Sequence, residues 1–249
     1  MASTGRLIPL AAGDPVDNMS IDQALLESTS HSQVPALRFY CWSRPSLSLG
    51  YFQEFAARDS HVESVGLDWV RRSTGGGAIV HHHELTYSLF LPANRSIGQH
   101  RDLYAQVHGE VATSLRDFGV TAVPYRTLSR SLPTSAAEPF LCFQRRTDED
   151  LIVSGYKILG SAQRKVRGAV LQHGSLLLKS SPHAPQLPGI AELTSQLPSI
   201  QQFSEKLANR LGNRLELDWQ EDGLRDQELE SAGRIAVAKF GSTQWKYRR

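Results

Sequence analysis

Apolar residues recur along this chain at two different periods. Ile21, Ala24 and Leu25 follow Asp17–Asn18 at helical spacing, so a capped helix is expected there. Leu103, Val107, Val111, Leu115 and Phe118 recur at threes and fours from Asp102, with Gly119 at the stop position. Ile200, Phe203, Leu207 and Leu211 share a third helical face, with Gly212 after it. Elsewhere the pattern shortens to alternation or to compact apolar runs. Leu37–Trp42 and Leu47–Phe52 read as short strands, and Ala78–Leu91 as a long one behind the glycine run Gly75-Gly76-Gly77. Leu151–Val153, Tyr156–Arg164 and Ala169–Leu178 form a meander, turning at Ser154-Gly155 and near Arg167-Gly168. Pro124 to Pro139, rich in Ser, Pro and Thr, is expected to be an irregular, mobile loop. The prolines from Pro182 to Pro188 set off a helical C-terminal third from about residue 190.

Strands followed by helices, without strict βαβ alternation, predict an α/β (α+β) fold with a mixed, largely antiparallel sheet flanked by helices. The 249 residues, 40% of them hydrophobic, suffice for one domain with a sizeable core. A formal charge of +2 gives no reason to expect nucleic acid or a membrane surface as partner. Small basic clusters at Arg145–Arg146, Arg164–Lys165–Arg167 and Lys246–Arg248–Arg249 suit an acidic protein instead. Cys41 and Cys142 are too few for a disulfide framework, and neither a signal peptide nor an apolar run of roughly 18 residues is visible, so the cytoplasm is expected.

Three stretches carry candidate chemistry. In Arg71-Arg72-Ser73-Thr74-Gly75-Gly76-Gly77-Ala78, glycine permits positive φ and lets a ligand lie against the backbone, while arginine forks suit carboxylate or phosphate. Neither a P-loop nor a dinucleotide fingerprint is present, and a plain hairpin loop has the same composition. In His81-His82-His83, alternation places His81 and His83 on one strand face. With no further ligand at metal spacing, a packed or hydrogen-bonded histidine is expected and no metal. Cys142 sits among apolar residues, where cysteine is usually core, and Lys157 lies fifteen residues later inside an apolar strand, where lysine is unusual unless paired. Together they make chemical sense. A free thiol is only about 3% thiolate at neutral pH, and a neighbouring cation raises that fraction. His173, on the strand face with Ala169, Leu171, Ser175 and Leu177, reads by itself as a core histidine.

In order and spacing, Asn18–Leu26, Leu37–Tyr40 with Trp42, Leu47–Gln53, Arg71–Gly77, Glu84–Ser88, Lys157–Leu178 and Lys239–Gly241 with Trp245 resemble the lipoate-protein ligase and octanoyltransferase family, within the biotin/lipoyl ligase fold. Cys142-Phe143, Gly160-Ser161-Ala162-Gln163 and Gln172-His173-Gly174-Ser175 look most like its cysteine-dependent octanoyltransferases. That resemblance implies a single catalytic domain over residues 1–249, octanoyl-acyl carrier protein as donor and a Cys142 acyl-enzyme. The acceptor would be a lysine of a lipoyl-carrier protein, either glycine cleavage H protein or a 2-oxoacid dehydrogenase carrier domain. Lys157 would orient and activate both steps, and no cofactor is implied. Arg72, Ser73, Thr74, Gly75, Gly76, Gly77, Ala78, His81, Gly160, Ser161, Ala162, Gln163, His173 and Gly174 would bind substrate. Two positions depart from the family pattern: His82, where an aspartate is frequent, and Tyr156, where a basic residue is common. The alternatives are an ATP-dependent ligase using ATP and magnesium, an amidotransferase between carrier proteins, and a non-catalytic acyl- or carrier-binding protein. The ligases usually carry an accessory domain for which this C-terminal third is short. Biotin ligation would call for a Gly-Arg-Gly-Arg signature, which is not found.

Overall fold

The computed structural model describes residues 2–95, 100–128 and 139–249. Its main sheet has eight strands: β1 (Ser3–Gly13), β2 (Ala36–Trp42), β6 (Glu84–Pro92), β7 (Val123–Pro124), β8 (Leu151–Val153), β9 (Tyr156–Val166), β10 (Ala169–Leu177) and β11 (Leu217–Glu221). They lie in the order β11-β1-β2-β6-β10-β9-β8-β7. The pairs of β1 with β11 and with β2 are parallel, and the other five pairs are antiparallel. A small second sheet, β4-β3-β5, is built from β3 (Ser46–Leu49), β4 (Asp68–Arg71) and β5 (Ile79–His81). The helices are α1 (Pro15–Ser32), α2 (His100–Arg116), the single turn α3 (Ile190–Leu193), α4 (Ile200–Leu215), α5 (Asp226–Ile235) and the single turn α6 (Thr243–Lys246).

The expected mixed, largely antiparallel sheet with flanking helices is therefore present. On one face, Leu85, Tyr87, Leu89 and Leu91 of β6 join Val107, Val111 and Leu115 of α2 and Phe203, Leu207 and Leu211 of α4 in the largest core. The opposite face of β6 carries Glu84, Thr86 and Ser88, all buried, with Phe90 packed near Leu25 and Leu26 of α1. Strand alternation thus sends apolar side chains one way and hydrogen-bonding ones the other. The polar side is where the cavity forms.

Four expectations need correction. The long strand Ala78–Leu91 is broken at His82-His83: β5 pairs with β3 in the small sheet, and β6 with β2 and β10 in the large one. The C-terminal third is not wholly helical, because β11 adds a parallel edge strand to β1. The first helix begins earlier than Asp17–Asn18, with Asp14 at its N-cap and Pro15 in its first turn. Gly212 does not end α4, which runs on to Leu215. A Cβ at Gly212 would lie 2.8 Å from the Leu217 carbonyl and 3.0 Å from the Trp219 ring, so glycine there lets β11 close against the helix. The meander matches its prediction, with Ser154 and Gly155 both at positive φ in the β8–β9 turn. Of the expected loop from Pro124 to Pro139, residues 129–138 lie outside the described residues. No helix among the described residues is long and apolar enough to cross a membrane.

Candidate active site

A cavity of about 330 Å³ opens where the small sheet meets the polar face of the large one, a size at the lower end for ligand pockets. Of the residues singled out in the sequence, Arg72, Gly75, Gly76, His81, Cys142, Gly160, Ser161, Ala162, Gln163, His173 and Gly174 line it. Ser73, Thr74, Gly77, Ala78 and Lys157 are not among its lining residues. Sequence reasoning missed the apolar and aromatic lining of Met19, Tyr40, Trp42, Ile79, Tyr104 and Phe143.

Cys142 is half-buried and opens a short 3₁₀ turn, Cys142–Gln144. Its segment is zipped to the end of the glycine loop. The Cys142 N–H donates to the Ala78 carbonyl at 2.7 Å, and the Ala78 N–H donates to the Phe140 carbonyl at 2.9 Å. Glycine at 77 makes this approach possible, because a Cβ there would lie 2.9 Å from Cys142 N, Phe140 O and Arg145 Nε alike. Gly76, at φ +95°, turns the loop over the thiol. A Cβ at Gly76 would stand 3.7 Å from Cys142 Sγ and 3.6 Å from Arg72 Nη2, so thiol and guanidinium flank the same glycine.

Arg72 is buried and, among the described residues, has no carboxylate ion pair. It donates to Ser48 O (2.9 Å), Ser48 Oγ (2.5 Å), Gly75 O (3.2 Å) and Gly77 O (2.9 Å), which clamps the glycine loop. Burial pulls this guanidinium below its ordinary pKa, and Cys142, Tyr40 and Glu84 work in the opposite direction. Ser48 in turn meets His81 Nε2 at 2.6 Å, and His81 Nδ1 meets Glu84 Oε1 at 2.7 Å. Burial holds His81 neutral, so Nδ1–H donates to Glu84, Nε2 accepts from Ser48, and the serine oxygen accepts from Arg72. His81 also stacks on Trp42, with ring centroids 3.6 Å apart. His82 and His83 stack on each other instead of extending the strand. Among the described residues, no group of three metal-ligating side chains is gathered in one place.

The other flank of the loop is held from β10. Thr74 Oγ1 lies 2.8 Å from His173 Nε2, and His173 Nδ1 lies 3.8 Å from Asp22 Oδ2. Asp22, buried on α1, also takes hydrogen bonds from Arg38 (2.7 Å), Tyr40 (3.0 Å) and Ser88 (2.7 Å). Burial opposes its charge, but His173, Arg38 and Ser88 outweigh that and hold the carboxyl below its ordinary pKa. His173 is thus an oriented member of a polar network instead of the apolar core residue that its strand face suggests.

The structure brings Lys157 to Cys142 through the backbone. Its Nζ lies 3.4 Å from the Cys142 carbonyl, 3.3 Å from the Arg145 carbonyl and 2.8 Å from Asp150 Oδ2. Side-chain exposure is 3% for Lys157 and 4% for Asp150, so the pair is buried. Asp150 is held in turn by the Thr147 N–H at 2.7 Å. Lys157 sits directly behind Gly160, where a Cβ would come within 2.5 Å of its Cε. Asp150, the partner of Lys157, is another residue that sequence reasoning passed over. Its one signal was a buried lysine in need of a counter-charge. Cys41, on β2, does not line the cavity, and burial followed by Glu84 pushes its thiol up.

Residues 14–211 match the model of the lipoyl protein ligase A/B catalytic domain. Octanoyltransferase LipM of Brevibacillus brevis is 30% identical to this chain, covering 98% of it and 99% of the relative. LipM of Moorella thermoacetica is 40% identical over 71% of this chain and 66% of its own length. Among solved structures, a bipartite lipoate protein ligase from the lipoylation system of Thermoplasma acidophilum superposes with a TM-score of 0.76 at 22% identity, over 98% of this chain and 96% of that one. A lipoate-protein ligase A bound with ATP gives 0.78 at 23%, over 98% of each chain. These two share the fold.

Proposed function

We propose that this chain, which belongs to the lipoyl protein ligase A/B catalytic-domain family, is an acyltransferase of protein lipoylation that carries an octanoyl group on Cys142. The donor would be the thioester on acyl carrier protein, and the acceptor a lysine of a lipoyl-carrier protein, either glycine cleavage H protein or a dehydrogenase carrier domain. One observation carries this reading. Cys142 Sγ opens onto a cavity with apolar and aromatic lining, beside a buried guanidinium that no carboxylate neutralises among the described residues.

Arg72 is the buried cation that flanks the Cys142 thiol across Gly76, whereas the Lys157 charge is offset by Asp150. In the first step the thiolate attacks the donor's carbonyl carbon. The bond from that carbon to the donor sulfur breaks, and the donor leaves as a thiol after taking up one proton. In the second step the neutral amine of the acceptor lysine attacks the Cys142 thioester. The amide bond forms, the nitrogen gives up a proton, and Cys142 leaves as thiolate. The sum is donor thioester plus lysine giving donor thiol plus amide, which balances without ATP because the donor is already activated. Lys157 fixes the 142–145 turn through the Cys142 and Arg145 carbonyls. Met19, Ile79 and Phe143 offer the acyl chain an apolar wall.

Intact-mass analysis after incubation with octanoyl-acyl carrier protein, without ATP, tests this. One octanoyl adduct is expected, lost in Cys142→Ala and passed on to H protein. Product that forms only with free acid and ATP would replace this reading by the ligase. An adduct unaffected by Cys142→Ala would remove the nucleophile.

A further inference from the structure

On the outer side of the glycine loop lies a second cluster that the acyl-transfer chemistry leaves unused. Arg248 stacks over Tyr51 at 4.1 Å and Trp245 at 4.8 Å from the ring centroids. Lys239 Nζ stands 4.6 Å from the same Trp245 ring, and Arg164 stands 6.0 Å from the Tyr51 ring. The two rings are themselves 5.7 Å apart, so three cations converge on one aromatic pair. Among the described residues, none of the three is ion-paired to a carboxylate. Lys239 is held by the neutral Gln23 Oε1 at 3.0 Å, and Arg164 donates to the Ser73 carbonyl at 3.4 Å, with its Nε buried and without a partner among the described residues. Glu27 acts on Lys239 from beyond ion-pair distance. Burial, then Arg164 and Arg248, push the Lys239 ammonium down to about 8. Like charges held together without a counter-charge cost free energy that a bound anion would recover.

The cluster adjoins the cavity along two segments. Arg164 follows the lining residue Gln163, and the Tyr51 N–H donates to the Thr74 carbonyl at 2.8 Å. Phe52, 64% exposed, bridges Tyr51 and the loop, its ring 3.8 Å from a Cβ built on Gly75. Cys142 and Arg248 are thus joined by a short series of close neighbours, through Gly76, Gly75, Phe52 and Tyr51. Acyl carrier proteins present their thioester on a phosphopantetheine arm. About thirteen bonds separate its sulfur from its phosphorus, the reach of roughly four extended residues, ~15 Å. Arginine forks and a lysine charge are the side chains suited to such a phosphate.

We infer that Arg164, Lys239 and Arg248 form a phosphate subsite for the donor's pantetheine arm, outside the glycine loop that covers Cys142. This rests on the thioester donor of the proposed function. The test compares octanoyl-4′-phosphopantetheine with octanoyl-pantetheine as donors, using the whole chain. The phosphorylated thioester should be preferred in kcat/KM by about tenfold or more, the scale of one charge-assisted hydrogen bond. Arg164→Gln, Lys239→Gln and Arg248→Gln should each lower that ratio, and Arg164→Gln with Arg248→Gln should bring it towards one. High salt should do the same. A ratio near one in the unmodified protein, or one indifferent to the variants, overturns the subsite while leaving the acyltransferase standing. If neither thioester acylates Cys142, the proposed function fails, and calorimetric binding of 4′-phosphopantetheine against pantetheine then decides the subsite by the same ratio. Variants that abolish ATP binding yet leave 4′-phosphopantetheine discrimination intact would assign the cluster to a nucleotide phosphate and overturn its role for the donor.

Discussion

Replacing Asp150 by Asn should separate what the Lys157–Asp150 pair does for folding from what it does for chemistry. The pair is 2.8 Å apart with 3% and 4% side-chain exposure, so Asp150→Asn leaves an ammonium buried among the carbonyls of Cys142 and Arg145. Removing one partner of a buried pair costs about 3–5 kcal/mol. Shedding the proton instead costs an ordinary lysine at pH 7 about 4.6 kcal/mol, so the penalty is capped near that figure. In a chain of this size each kcal/mol moves Tm by about 2–4 °C, which predicts a fall of roughly 6–20 °C. Lys157→Met should cost less, because Asp150 keeps the Thr147 N–H. The double variant Asp150→Asn/Lys157→Met then removes both charges and should be less destabilised than the sum of the singles, by about 1–3 kcal/mol. Denaturant melts of the four proteins give the cycle, and octanoyl adduct formation gives the chemistry. The double variant should regain stability without regaining activity. Strict additivity, or a Tm unmoved by Asp150→Asn, would refute the buried-pair argument. A double variant with full acyl transfer would remove Lys157 from the mechanism.

Three further outcomes follow from the same geometry. Iodoacetamide should modify Cys142 well before Cys41, whose thiol is pushed up by burial and then by Glu84, and peptide mass mapping at short times reads the order. Hexanoyl donors lose two buried methylenes at about 0.8 kcal/mol each, so competition against octanoyl donors should favour octanoyl by about tenfold or more; equal rates would place the chain outside the cavity. His81 and His108 are both held below their ordinary value of 6.5, first by burial, so the unfolded chain gains protons that the folded chain refuses. Stability should therefore fall as pH drops below about 6.5, by up to about 1.4 kcal/mol per pH unit for each histidine, and His81→Gln should flatten the slope seen in urea melts.

The elements that were legible in the sequence are those whose partners are close along the chain. The β8–β9–β10 meander needed only Ser154-Gly155 and Gly168 at positive φ to be read correctly. The parallel edge β1–β11 joins residues more than 200 positions apart, and its register, Ser3 with Leu217, leaves no local trace. The break at His82-His83 is equally silent, since alternation runs on while the strand changes sheets. Cys142 and Lys157 were readable as a pair by spacing, but their linkage was not. Lys157 reaches the Cys142 carbonyl, and its counter-charge comes from Asp150, just outside the irregularity in register between Leu151 and Ile152.

The glycine loop shows most clearly how a local reading and a tertiary one diverge. Three consecutive glycines are ordinarily a sign of freedom, since each costs more backbone entropy to fix than any other residue. Here Arg72 donates to Gly75 and Gly77 carbonyls from one side and Thr74 meets His173 from the other. Behind these stand Glu84, His81 and Ser48 on one flank and Asp22 on the other, all buried. The glycines serve shape instead of motion: any side chain at 77 would meet Cys142 N at 2.9 Å, and one at 76 would be strained by the φ of +95° that turns the loop. A loop so fixed positions a thiol and a guanidinium before any substrate arrives, which lowers the reorganisation left for the reaction itself. Rigidity at this point also means that damage at a distance should be felt at the thiol. Glu84→Ala, which removes the acceptor of the His81 Nδ1–H, would leave His81 free to turn, Ser48 without its fixed acceptor, and Arg72 without a settled place beside Cys142.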